Sequence, residues 1–296
     1  MAQTRPSRVY LPKFDNAPRT IFEYLLARFP QIHASIWRER VSHGLVMLSD
    51  GTTLLEESPY RHGITVFYRK EIPLEPAQTE EPLIVYRDDE ILVVDKPHGM
   101  PVTPSGEHIK RSLFIHLQAT LDLPDLAPMH RLDRETAGLL LFTVKRSARA
   151  HYHQLFAEGR VSREYLAVAH VTTPLEHNHW RIENRMEPGE PWYRQRIVEG
   201  RVNAITEIEL IHSRSGFAQF RLYPKTGRKH QLRVHMTSIG CPMVGDPFYP
   251  TIKKKEDGDP PLQLLASRLA FRDPLTGEQH TFISKKELTC WFDSTI

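Results

Sequence analysis

The residues from Leu139 to Val144 form an apolar block broken only by Thr143. A dense charged stretch, His130, Arg131, Asp133, Arg134 and Glu135, runs straight into it. A short apolar run of this kind reads as a buried strand. Asp133 therefore stands at the doorstep of a buried strand with an arginine on either side. Taken alone, an aspartate so placed is a helix cap or a surface ion-pair partner. Its neighbours elsewhere in the chain decide between that reading and a chemical one.

At 296 residues the chain has room for one large domain and a small one. Apolar residues make up 40% and charged residues 25%, ordinary values for a globular protein with a substantial core. The apolar runs are too short to span a membrane. The opening residues, MAQTRPSRVYLPKF, hold no apolar core of a secretory signal, so a cytoplasmic location is expected. Cys241 and Cys290 offer neither a disulfide framework nor metal-site spacing. The net charge of +3 decides little, but its distribution is uneven. Arg221, Lys225, Arg228, Lys229 and Arg233 fall with His230 and His235 in a stretch free of acids. Such a cluster suits a phosphate backbone, although charge alone favours the plainer reading of a solvated charged face.

Thr20 and Glu23 are spaced as a capping box before Ile21, Phe22, Leu25, Leu26 and Phe29, which recur at helical spacing. A second helix is expected from Ser35 to His43, closed by Gly44. Val46–Leu48, a Ser-Asp-Gly turn and Thr53–Leu55 read as a hairpin, and Gly63–Tyr68 as a further strand. These elements make a small unit over residues 1–75. A segment rich in proline and glutamate, with residues 76–82 at its end, reads as a linker. The larger domain, 83–296, opens with the strands Leu83–Tyr86 and Ile91–Asp95. Ser147 is expected to cap a helix from Ala148 to Glu158, ended by Gly159. Strands follow at Glu164–His170, Ala204–His212 and Phe217–Tyr223, and a helix is expected to begin near Lys229. Helices and strands mix without regular βαβ alternation, which points to an α+β fold with a mixed, mainly antiparallel sheet.

Three segments then stand out: HRLDRETAG from His130 to Gly138, REYLA from Arg163 to Ala167, and GRKHQLRVH from Gly227 to His235. The last is followed by GCPMVGDPFY from Gly240 to Tyr249. In this order they resemble the motifs of RluA-type RNA pseudouridine synthases, whose first block reads HRLDxxTSG. Ala137 takes the place of the usual serine. DKPHGMPV from Asp95 to Val102 and LLASRLAF from Leu264 to Phe271 are similar to flanking strands of that family. The resemblance covers about 83–296.

The resemblance implies roles residue by residue. Asp133 matches the catalytic aspartate and Tyr165 the tyrosine that contacts the base. Arg233 matches the basic residue that pairs with the aspartate, and Arg131 the arginine that helps displace the target nucleotide. His130, Arg228, His230 and Gln231 are expected to support the site or the RNA. The N-terminal unit resembles an S4-like RNA-binding domain, less closely.

The side-chain types suit the chemistry without the analogy. Turning uridine into pseudouridine breaks a C–N glycosidic bond and remakes it as a C–C bond, with no redox change, so no cofactor or metal is expected. A carboxylate can act on the sugar as nucleophile or proton acceptor. A nearby arginine favours the charged form of a carboxylate. An aromatic ring gives the detached uracil a face to stack on. The target must leave its base stack, which costs a few kcal/mol.

Each residue also has a plainer reading. Tyr165 alone is a core tyrosine, Arg233 a helix-surface charge, and His130, His230 and His235 carry no metal-ligand motif, while His151 and His153 are spaced as a pair on an expected exposed helix. The expected partner is ribosomal or transfer RNA, acted on by a monomer with no membrane and no obligate protein partner. The rival expectation is a non-catalytic RNA-binding or ribosome-assembly factor on the same fold.

Overall fold

The computed structural model describes residues 6–42, 44–68, 80–103, 112–171, 174–191, 193–253, 255–256 and 258–289. The chain divides into two compact units, 1–76 and 77–296. Cys290, His43 and the first residues of the expected linker, 76–79, lie outside the described residues. Among the described residues, no helix is long and apolar enough to cross a membrane.

The first unit runs β1 (Ser7–Tyr10), α1 (Ile21–Arg28), α2 (Ala34–Ser42), β2 (Val46–Leu48) and β3 (Thr65–Tyr68). The sheet has the order β1-β3-β2, with both pairs antiparallel. The capping box forms with a shift of one residue. Thr20 Oγ1 accepts from the Glu23 amide at 3.1 Å, and the Glu23 carboxylate accepts from the Arg19 amide at 2.8 Å rather than from Thr20. The Val46–Leu48 hairpin turns as expected, but its return arm makes only a single bridge, Met47 to Thr53. Its partner strand is β3 instead. Trp37, Leu11, Leu25, Val46 and Val66 fill the core of this unit.

The second unit contains β4 (Leu83–Arg87), β5 (Ile91–Lys96), α3 (Leu113–Leu121), β6 (Ala127–Pro128), β7 (Ala137–Thr143), α4 (Arg149–Ala157) and β8 (Ser162–His170). It continues with β9 (His179–Pro188), β10 (Gln195–Val198), β11 (Ala204–Arg214), β12 (Phe217–Pro224), α5 (Gln231–Ser238), β13 (Leu264–Arg272) and β14 (Gln279–Ile283). The main path of the sheet is β10-β9-β11-β12-β8-β13-β7-β5-β4, with β14 on β13 and β6 on β7. Among the described strands, β13 and β7 alone run parallel, so the sheet is mixed and mainly antiparallel.

The apolar block that opens the sequence is β7, and every residue of it is buried. Its alternation explains why. Leu140 and Phe142 pack with Leu92, Val94, Leu113 and Leu117 on one face, while Leu139 and Leu141 pack with Tyr152 and Leu155 on the other. Helices α3 and α5 cover the first face and α4 the second. A strand covered on both faces has no solvent side, so its sequence runs apolar rather than alternating.

Two expected helix starts move. Ser147 lies inside a short 3-10 turn, Arg146–Ala148, that leads into α4, and no side chain caps that helix. Helix α5 begins at Gln231 rather than Lys229, because His230 takes a left-handed backbone (φ 54°) that the helix cannot include.

Gly138 shows how tightly β7 is held. Its φ is +111°, and a Cβ there would lie 2.3 Å from the carbonyl oxygen of Ala266 on β13. Gly138→Ala is expected to cost more than about 3 kcal/mol of unfolding free energy, read as a drop in the urea midpoint, because rigid backbone faces the added methyl. A midpoint within error of the wild type would show that the β7–β13 contact can yield.

Candidate active site

Asp133 lies on the loop that leads from β6 into β7. The loop is pinned at several points. The Met129 amide donates to Leu141 O at 2.9 Å, and the Leu141 amide donates to His130 Nε2 at 3.1 Å. The Thr136 amide closes a turn onto Asp133 O at 3.1 Å. The segment after β5 holds the same turn from the other side. Lys96 Nζ, fully buried, donates to Arg134 O at 3.1 Å and also to Pro97 O and Met100 O at 2.9 and 2.8 Å. Burial pulls its ammonium down to about 7, against the attraction of Glu135 and Asp133. The His98 ring lies 2.6 Å from the next carbonyl, Glu135 O. Two successive carbonyls beside Asp133 are therefore gripped.

Arg233, on the first turns of α5, is 1% exposed. It meets two carboxylates. Asp246 takes it bidentately, Nε to Oδ2 at 2.8 Å and Nη2 to Oδ1 at 2.6 Å. Its third nitrogen, Nη1, lies 3.5 Å from Asp133 Oδ2. Burial opposes the charge on Arg233, but Asp246 and Asp133 outweigh it and raise the guanidinium above its usual range. Asp246 is itself fixed, since its Oδ1 accepts from the amides of Phe248 and Tyr249 at 2.8 and 3.1 Å. The rings of Phe248 and Tyr249 flank the guanidinium, with centroids 5.1 and 5.3 Å away.

The other expected residues gather here. A cavity of about 90 Å3 is lined by Arg131, Asp133, Tyr165, Arg228, His230, Gln231 and Arg233, together with Arg163. It adjoins an outer cavity of about 450 Å3 lined by His130, Arg131, Asp133, Arg134, Arg163, Arg228 and Lys229. Tyr165 is buried, and burial raises its hydroxyl above the ordinary range, so it stays a neutral phenol. Gln231 is tied into the scaffold. Its Oε1 accepts from Thr226 Oγ1 and the Arg228 amide, and its Nε2 donates to Ile205 O and Thr206 Oγ1. His130 stacks on Phe156 and accepts from β7, so it stiffens the loop.

The basic stretch expected along the wall divides. Arg221 pairs with Glu164 at 2.9 Å and Lys225 with Glu207 at 2.9 Å, both on the sheet, because β11 and β8 bring acids beside them. Arg228, Lys229 and Arg233 line the cavities. His235 faces Thr206 and Asn184 in the core. Cys241 is buried, and burial raises its thiol, so it offers no nucleophile. His151 and His153 are exposed on α4, and among the described residues no cluster of three or more His, Cys, Asp or Glu is set to hold a metal ion. Sequence reasoning assigned no role to Lys96, His98, Arg163 or Asp246. All four sit inside quoted motifs, and that placement was the available signal.

A family described as RNA pseudouridylate synthase matches residues 90–238, a span that includes Asp133, Tyr165 and Arg233. The chain is 31% identical over 225 residues to the dual-specificity RNA pseudouridine synthase RluA of Haemophilus influenzae, covering 73% of this chain and 96% of that one. It is 32% identical over 218 residues to the RluA of Escherichia coli K12, covering 70% and 94%. More than a quarter of this chain lies outside these two matches. The structure of human RNA pseudouridylate synthase domain containing 1 resembles it in fold, with a TM-score of 0.58 at 24% identity over 72% of this chain and 86% of that one.

The buried histidines set a pH dependence. Burial lowers His130 to about 3 and His230 and His235 to about 4, against an ordinary value of 6.5. Between those values the unfolded chain binds protons that the folded chain refuses. Their contribution is therefore complete above about 6.5 and is lost as the pH falls to about 4. Urea unfolding across that range should show stability falling with pH, and His235→Gln should flatten the slope. An unchanged slope in the variant would contradict the assignment.

Proposed function

This chain belongs to the RNA pseudouridylate synthase family, and on that premise we propose that it isomerises uridine to pseudouridine in structured ribosomal or transfer RNA, with Asp133 acting on the sugar. The observation that carries this reading is the convergence on one cavity of the Asp133 carboxylate, the guanidinium of Arg233 at 3.5 Å, and the buried ring of Tyr165.

The reaction conserves atoms. The C1′–N1 bond breaks, uracil turns within the site, C1′ bonds to C5, the C5 proton leaves, and N1 gains one. Asp133 acts at the first step, either by attacking C1′ or by taking a proton from the sugar. Arg233 supplies a counter-charge whose position costs no rearrangement at the moment of reaction, because Asp246 already fixes it. Tyr165 offers its face to the detached uracil and keeps its hydroxyl proton. Arg131 is exposed at the rim beside Asp133 and fills the space that the flipped nucleotide leaves. Arg134, Arg163, Arg228 and Lys229 around the outer cavity favour the flanking phosphates.

We read the N-terminal unit as an S4-like RNA-binding module, on the order of its two helices and following strands and on its basic first segment. We place the protein in the cytoplasm as a monomer.

The test uses RNA transcripts carrying tritium at uracil C5, because that hydrogen must leave. The wild type should release tritium. Asp133→Ala should lower release by at least about 10,000-fold, as for loss of a nucleophile, with the RNA dissociation constant changed by less than about threefold. Substantial release by the variant would remove Asp133 from the chemistry. RNA binding without release by the wild type would favour the binding-factor reading.

A further inference from the structure

His230 combines three features that a support residue does not need. It is 7% exposed, it holds a left-handed backbone with φ 54° although it is not glycine, and its ring is hydrogen-bonded at one nitrogen while the other faces a carboxylate. Nδ1 lies 3.0 Å from the Tyr249 hydroxyl, and Nε2 lies 3.9 Å from Asp133 Oδ2. The ring also stacks on Phe248, with centroids 5.7 Å apart and planes 28° apart. A strained, fully specified residue beside a reacting group is a sign that its direction matters.

The hydrogen-bond directions can be worked out from the far end. Gln195, the first residue of β10, donates its backbone N–H to the Tyr249 oxygen at 2.6 Å. A backbone amide has no other role, so Tyr249 is the acceptor there. The Tyr249 ring is held between Arg194 and Arg233, whose guanidinium carbons lie 4.8 and 5.3 Å from its centroid. Among the described residues, the acceptor within reach of the Tyr249 hydroxyl proton is His230 Nδ1. Nδ1 must then be bare, and the proton of a neutral imidazole sits on Nε2.

We propose that His230 is a positioning residue held as the Nε2–H tautomer by the Gln195–Tyr249 chain, so that it points a neutral N–H dipole at the Asp133 carboxylate. The proposal rests on the functional reading above and deepens it. The gap of 3.9 Å is longer than a hydrogen bond in the free protein, and such contacts tighten when substrate closes the site. Both Arg233 Nη1 and His230 Nε2 approach the same oxygen, Oδ2, of Asp133. The other oxygen, Oδ1, is left to meet the sugar.

Neutrality is part of the design. The groups facing His230 are Asp133, Asp246, Arg233 and Lys229, and burial outweighs the two carboxylates, bringing the ring to about 4. A second full cation beside Arg233 would hold the carboxylate back from carbon. A neutral dipole orients it without that penalty.

The direct test is a long-range 1H–15N correlation spectrum of protein labelled at histidine, with His230→Gln used for assignment. The expected result at neutral pH is a pyridine-type Nδ1 and a pyrrole-type Nε2. The opposite tautomer, or an imidazolium, overturns the proposal. This readout needs no turnover, so it stands apart from any failure of the proposed isomerisation. Tyr249→Phe then keeps the ring and removes the hydroxyl. It should mix the tautomers of His230 and lower single-turnover isomerisation by about tenfold, one hydrogen bond's worth, at unchanged RNA affinity. Unchanged tautomer and rate in that variant would overturn the proposal.

Discussion

The guanidinium of Arg233 is 1% exposed, and a buried full charge must be compensated on every side. Its surroundings meet that demand in an ordered way. Asp246 takes two of its nitrogens, two rings flank it, and the third nitrogen is left for Asp133. Asp246 can do this because consecutive amides, those of Phe248 and Tyr249, hold its carboxylate in turn. The segment from Gly245 to Tyr249 thus acts as a clamp whose purpose is the direction of one arginine. Arginine suits this role better than lysine because its planar fork can satisfy one carboxylate fully and still address another.

That arrangement works only if Asp133 arrives at the right place. Its position is inherited from β7, a strand packed on both faces and pressed against β13 at Gly138. The loop before β7 has little freedom left, since Leu141, Lys96 and His98 hold it by its backbone and by His130. Rigidity in the sheet becomes precision at the carboxylate. The price is a fully buried lysine, and three carbonyl acceptors offset its desolvation.

Much of this was readable beforehand, for physical reasons. The strands β5, β7, β8, β11 and β12 announce themselves through dense apolar or alternating residues, and Asp133 through its place between charge and apolar run. The strands β9 and β10 did not, because they lie toward the sheet edge and carry paired charges, as Arg181 pairs along its own strand with Glu183 and across to β11 with Glu207. Helix α3 gives only a weak cap signal, the Ser112 hydroxyl 3.4 Å from the Ile115 amide. The partnerships within the site were hidden for another reason. Asp246 was visible as part of a motif, but nothing in a sequence says that it, rather than Asp133, is the main partner of Arg233. The link from Gln195 through Tyr249 to His230 joins residues far apart in the chain, and only the folded sheet brings them into line.

The most direct measurement separates the charge of Arg233 from its contribution to folding. Arg233→Met combined with Asp246→Asn removes the fully buried pair together, leaves only the partly exposed Asp133 carboxylate without its guanidinium, and keeps an acceptor for the amides of Phe248 and Tyr249. Such paired neutral replacements are often tolerated in a core. The account predicts a urea midpoint close to the wild type and a loss of uridine isomerisation of at least about hundredfold, with Asp133 still in place. A folded double variant that isomerises uridine at near the wild-type rate would contradict it.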